Sequence, residues 1–90
     1  QVIGVEYEES ASLAAAMAAG RSVKLKQVGI FADGIAVAQV GKHTWPLMKQ
    51  YVDGVITVSS DEICAAVKDI FDDTRVIAEP AGAVSAAARR

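Results

Sequence analysis

With one cysteine and one histidine in 90 residues, this chain has little of the usual equipment for redox or metal chemistry. Cys64 has no second cysteine to pair with, which excludes an intramolecular disulfide, and a lone thiol fits a reducing, cytoplasmic setting. Its place inside an apolar helical pattern predicts a small buried hydrophobe, as free cysteines usually are. A nucleophilic thiol needs a base beside it, and His43 has no evident link to Cys64. No cysteine, carboxylate or second histidine stands at metal-ligand spacing from His43, so no metal site is predicted. His43 reads as a cap or surface residue. Positive charge is also scarce: nine Lys and Arg stand against eleven Asp and Glu, with a sequence pI of about 5.2. That leaves no basic footprint for nucleic acid, and Arg89-Arg90 reads as a solvated end. No apolar run reaches the roughly 20 residues of a membrane span, so no membrane partner is expected. Gln1-Val2-Ile3-Gly4-Val5-Glu6 lacks the charged start and cleavage site of a signal peptide.

What the chain does have is apolar bulk. Hydrophobic residues make up 52% of it, much of that alanine. Ninety residues allow one small domain at most, and a core of that size is marginal. Apolar surface beyond the chain's own core is therefore expected, covered by a partner or by another copy. The chain lacks an initiator Met and opens inside a strand-like run, the pattern expected of a piece of a longer protein.

The local signals alternate between strand and helix. Val2-Ile3-Gly4-Val5, ending in Glu6, reads as a buried strand of a parallel sheet. Glu8, Glu9 and Ser10 supply acidic and capping groups for a helix start. The alanine-rich run from Leu13 to Ala19 continues that helix, and Gly20 sits where a C-terminal cap belongs. Arg21 to Gln27 reads as loop. Val28 to Val37 is apolar but broken by Gly29 and by Asp33-Gly34. Asp-Gly marks a turn, so a hairpin is one reading. A backbone passing close to a ligand is the other, since glycine permits such an approach. Gly41 to Val52 reads as a helix with Thr44 or His43 near its cap and Pro46 in the first turn. Its apolar face carries Trp45, Leu47, Met48, Tyr51 and Val52. Gly54 to Val58 is the second strand. Ser59-x-x-Glu62 is a capping box for a helix from about Asp61 to Asp72, with Ile63, Ala66, Val67, Ile70 and Phe71 along one face. Val76-Ile77-Ala78 is a short apolar link. Glu79 precedes Pro80, which can open a helix, and Ala81 to Arg90 completes it. The order predicts an α/β fold, a small parallel-sheet segment with flanking helices.

Self-contained catalytic motifs are missing. There is no GxGxxG, phosphate loop, GxSxG or HExxH. Asp72-Asp73 reads as a surface pair at a helix end. Asp33 is a turn residue or a catalytic acid. Glu79 is the best candidate, because a carboxylate ahead of a helix-opening proline and among small residues can point into a cleft. A helix-capping surface glutamate is the other reading.

Four segments carry a resemblance that spans essentially the whole chain. They are Val2-Ile3-Gly4-Val5-Glu6, Phe31-Ala32-Asp33-Gly34-Ile35-Ala36-Val37, the run from Ser60 to Phe71, and Ala78-Glu79-Pro80-Ala81-Gly82-Ala83. In this order and spacing they closely resemble an internal segment of the threonine ammonia-lyases (threonine dehydratases). Serine dehydratases and serine racemases share a looser version, including a Thr-Trp-Pro like Thr44-Trp45-Pro46. The resemblance implies the fold-type-II pyridoxal-phosphate architecture (tryptophan synthase beta-like), with residues 1–90 as a single segment in the C-terminal half of the large domain. It implies Gly34 close to the cofactor ring, where a side chain would clash, and Glu79 near the cofactor and substrate pocket. Pyridoxal phosphate acts in that family as an electron sink. The reaction removes the hydroxyl of an amino-acid substrate and ends in a 2-oxoacid and ammonia, in isoleucine biosynthesis for the biosynthetic enzymes. The Asp61-to-Phe71 run favours threonine over serine as the substrate.

The departures from the family bear on activity. The Schiff-base lysine of the family lies well upstream, and none of Lys24, Lys26, Lys42, Lys49 or Lys68 stands in its motif. The glycine-rich phosphate loop belongs just before Gln1. The Ser or Cys that faces the pyridine nitrogen belongs after Arg90. Some relatives hold a divalent cation through the glutamate matching Glu6 and a later acid, but the later position falls near Ser12. No metal is therefore expected, and no residue of the chain is assigned a catalytic role. Two readings follow. One is a segment of a pyridoxal-phosphate-dependent threonine ammonia-lyase, inactive and without cofactor when isolated, from an enzyme that forms a homo-oligomer. The other is a stand-alone, non-enzymatic α/β remnant of that fold with a self-association or binding role.

Overall fold

A computed structural model describes residues 1–89; Arg90, half of the Arg89-Arg90 pair, lies outside the described residues. Two five-residue strands, β1 (Ile3–Tyr7) and β2 (Gly54–Val58), pair in parallel, in register from Ile3 with Gly54 to Tyr7 with Val58. Alternation along the strands sends Val5, Tyr7 and Val58 to one face, and Gly4, Glu6 and Val55 to the other. Helices cover both faces, as a parallel sheet requires. On the Gly4 face lie α1 (Ser12–Ala19) and α2 (Trp45–Tyr51). There Leu13, Ala16 and Val40 form a small core against which Trp45, Met48 and Val55 pack. On the Tyr7 face lies α3 (Ser60–Thr74), followed by a 3-10 turn (Pro80–Ala83) and a short α4 (Val84–Ala87). The larger core is here, with Tyr7, Val58, Ile63, Ala66, Ala83 and Val84 among its buried members. The predicted α/β class, with its small parallel sheet and flanking helices, is the architecture observed.

Local chemistry sets most of the helix ends. Gly20 closes α1 at φ 74°, donating its N–H to Ala16 O at 2.8 Å, a left-handed position where glycine has no Cβ penalty. At the start of α3, the Ser59 side chain accepts the Glu62 N–H (3.2 Å). The Glu62 carboxylate in turn accepts the Ser59 N–H (2.9 Å). Such a cap is worth about 1 kcal/mol. The start of α1 departs from expectation. Glu8–Ser10 wind into a separate 3-10 turn, and Ala11 offers no side-chain cap. Glu6 reaches from β1 instead, accepting the N–H groups of Leu13 and Ala14 at 2.9 and 2.8 Å.

Four further expectations need correction. The Val28–Val37 stretch is not a hairpin but loop around one 3-10 turn (Asp33–Ile35). Its arm at Gly29 gives its N–H to Glu9 O (2.8 Å) rather than to its own opposite flank. Cys64 is exposed, not buried. It follows the fully buried Ile63 by one residue, and one residue turns a helix by about 100°, carrying the thiol off the core stripe. Phe71 lies at the edge of that stripe, 41% exposed, with the Arg75 guanidinium 5.5 Å from its ring centroid. The apolar residues of α2 and its C-cap split: Trp45, Met48 and the C-cap Val52 pack inward, while Leu47 and Tyr51 face out.

Candidate functional site

A cleft of about 420 Å³ opens beside β1 on the Gly4 face, walled by Glu6, Ser10, Leu13, Gly34, Gln39 and Thr44 among others. It reaches the carboxyl end of the strand, where parallel α/β sheets place their ligands. Among the described residues Glu6 is the one ionisable side chain in its wall, and both carboxylate oxygens are held by α1. Ser10 is 2% exposed, and its hydroxyl has no hydrogen-bond partner among the described residues. A buried hydroxyl left in that state is costly and calls for a partner.

The structure brings the two predicted site residues together. The Asp33–Ile35 turn is closed by Ile35 N–H to Ala32 O (3.0 Å) and Ala36 N–H to Asp33 O (3.2 Å). It rests on Ala32, which is fully buried. Glu79, in extended conformation, caps the Pro80–Ala83 turn: Oε1 accepts the Gly82 N–H (2.9 Å) and Oε2 the Ala81 N–H (3.1 Å). Pro80 has no N–H to satisfy, so the cap serves the next two donors. A Cβ built on Gly34 would stand 3.8 Å from Glu79 Oε1. Among the described residues, the cleft wall includes Gly34 but not Glu79. The capping role of Glu79 is thus observed directly, and Glu79 is exposed. Asp33 is an exposed turn residue. Asp72 forms an exposed ion pair with Lys68 at 2.6 Å, as a surface carboxylate does. No group of three or more His, Cys, Asp or Glu among the described residues could hold a metal.

Sequence reasoning missed a polar clasp at the carboxyl ends of the two strands. The Tyr7 hydroxyl donates to Glu9 Oε2 (2.7 Å) and shares a second hydrogen bond with Ser60 Oγ (2.7 Å). Tyr7 is 2% exposed. The Ser60 hydroxyl pulls its phenol toward ionisation. The Glu9 hydrogen bond, burial and the charges of Glu9 and Glu8 push the other way and leave the phenol above its ordinary value. A tyrosine ending a strand and a serine opening a helix 53 positions later share no spacing rule, so only the folded chain joins them.

Two parallel strands sandwiched between helices make this a piece of an α/β fold, and solved threonine deaminases share it, which places it in the fold-type-II pyridoxal-phosphate class. The sequence pattern of the pyridoxal-phosphate dependent enzymes matches residues 1–90, and the chain belongs to that family. The L-threonine dehydratase biosynthetic IlvA of Burkholderia multivorans is 52% identical over 87 residues, 97% of this chain and 17% of that protein. The Escherichia coli protein of the same name is 53% identical over the same span and shares. The solved structure of the processed form of threonine deaminase isoform 2 from Solanum lycopersicum superposes with a TM-score of 0.94 at 44% identity. That match covers 97% of this chain and 25% of the solved one. The chain therefore spans about a sixth of the length of the bacterial relatives, 17%.

The residues present fit one wall of a pyridoxal-phosphate site. The unpartnered Ser10 hydroxyl and the backbone laid open at Gly34 suit a flat polar ring, with Leu13 and Val40 giving apolar contact beside them. Among the described residues the cleft wall holds no lysine and no cation for a phosphate group, so the remaining anchors must come from residues other than these.

Proposed function

We propose that residues 1–90 serve as a segment of the large domain of a threonine ammonia-lyase, lining one side of its cofactor pocket. The observation that carries this reading is that 97% of the chain aligns at 52% identity with a biosynthetic threonine dehydratase. The meeting of Gly34 and Glu79 beside a cleft agrees with it. Pyridoxal phosphate, when bound, supplies the electron sink for the elimination. The chain's own part is positional. Gly34 keeps its turn free of a side chain. Glu79, an acceptor whose oxygens each already hold one N–H, keeps further lone pairs for a donor on the ligand side. Ser10 offers a hydroxyl from the buried wall. No residue here supplies the covalent anchor, so the segment is inactive alone. Exposed Ile30, Leu47, Val76 and Ile77 are apolar positions that further structure or other subunits of a homo-oligomer cover.

The test is a pyridoxal-phosphate titration of the full-length protein against its Glu79→Ala variant. Binding weakened by about tenfold, or about 1.4 kcal/mol, is expected. Equal affinities remove Glu79 from the site. A stand-alone binding remnant is the second reading, supported by the same exposed apolar residues. Sedimentation of the chain as a well-behaved monomer would remove its main support.

A further inference from the structure

Glycine at position 34 is not demanded by its backbone. Among the described glycines only Gly20 has a left-handed φ, so an L-residue could take the main-chain conformation of Gly34. What a side chain would meet is the methyl group of Ala81. A Cβ built on Gly34 lies 3.0 Å from Ala81 Cβ, about half an ångström inside ordinary carbon contact. Neither partner can swing aside, because each Cβ is fixed directly to main chain. Behind Ala81 the turn is tied through Glu79, which holds the Ala81 and Gly82 N–H groups, and it runs into Ala83, which is fully buried. Behind Gly34 the turn rests on buried Ala32. Two turns from distant parts of the chain are thus pressed together between two anchors in one core.

We infer that Gly34 and Ala81 form a clasp that sets the distance between the Glu79 carboxylate and the Gly34 wall of the cleft, which makes Ala81 a positioning residue. This rests on the reading of Gly34 and Glu79 as cofactor-side residues. A second Cβ at position 34 drives the Pro80–Ala83 turn, and Glu79 with it, away from the cleft even before any ligand binds. The glycine therefore answers first to its own protein.

The test compares four forms of the full-length protein: wild type, Gly34→Ala, Ala81→Gly and the double variant. Two quantities are read, the Tm of the cofactor-free protein and the Kd for pyridoxal phosphate. Gly34→Ala is expected to lower the Tm and to weaken binding about tenfold. Ala81→Gly alone removes one half of the contact and is expected to lower the Tm and weaken binding by less than Gly34→Ala. The double variant recovers most of both, because removing the Ala81 methyl makes room for the new one. If Gly34→Ala does not fold, a folded double variant carries the same meaning. An unchanged cofactor-free Tm in Gly34→Ala, a double variant no better than Gly34→Ala, or failure of both to fold overturns the clasp. Wild-type protein that binds no pyridoxal phosphate overturns the cofactor reading instead, and the contact is then judged on the Tm rescue alone.

Discussion

Glu6 Oε2 accepts the main-chain N–H of Leu13 at 2.9 Å, so a strand residue supplies the cap that the first helix lacks in its own sequence. The other oxygen takes the Ala14 N–H at 2.8 Å. Charge-assisted bonds of this kind are stronger than neutral ones, and the carboxylate also faces the positive end of the α1 dipole. Glu6→Ala leaves two part-buried donors without partners and is expected to cost about 1–2 kcal/mol. Glu6→Gln keeps one acceptor oxygen and should lose less. Chemical denaturation followed by far-ultraviolet circular dichroism ranks the three proteins, and equal midpoints would show that water replaces the cap without cost.

Ile63 and Cys64 are neighbours with opposite fates. Ile63 is fully buried in the larger core, so Ile63→Ala is expected to cost about 2–5 kcal/mol. Cys64 is exposed, and Cys64→Ser is expected to stay within about 0.5 kcal/mol of wild type. The thiol should also react with a maleimide in the folded protein. A Cys64→Ser variant as damaged as Ile63→Ala would place the thiol inside a contact that this chain lacks.

Tyr7 makes stability depend on pH at the alkaline end. Its phenol sits above the ordinary value of 10.0 in the folded chain. The neutral form is therefore favoured by folding, and that contribution is complete below pH 10, the unfolded value. It is lost as pH rises through the folded value, when the phenolate can no longer donate to Glu9 and stands beside a like charge. Midpoints measured from pH 8 to pH 11 should fall more steeply in wild type than in Tyr7→Phe, which has no proton to lose. Parallel curves would remove the hydrogen bond from the account.

Legibility in the sequence followed distance along the chain. The Ser59–Glu62 box, the Gly20 cap and β2 at Gly54–Val58 depend on residues within one turn or one strand of each other, and the structure contains all three. The α/β class followed from their order. Glu6 and Tyr7 could not be read this way. Glu6 looked like the end of a strand, but it caps a helix seven residues on, and Tyr7 pairs with Ser60 only because β1 and β2 are adjacent. Asp33-Gly34 carries a turn signal that is correct as a turn and misleading as a hairpin, since the stretch forms a 3-10 turn and Gly29 bonds to Glu9. Glu79 stands out in the sequence as a carboxylate ahead of a helix-opening proline and Gly34 as a break in an apolar run, while their place beside a cofactor comes from the resemblance. Their spatial proximity is a structural finding. Cys64 shows the limit of apolar patterning, because one residue's rotation separates core from solvent.

The measurement that bears most directly on the central claim is release of 2-oxobutanoate from L-threonine in the presence of pyridoxal phosphate, by the full-length protein and by residues 1–90 alone. Turnover by the full-length protein and none by residues 1–90 is the predicted result. No turnover by the full-length protein, or turnover by these 90 residues alone, would contradict the account.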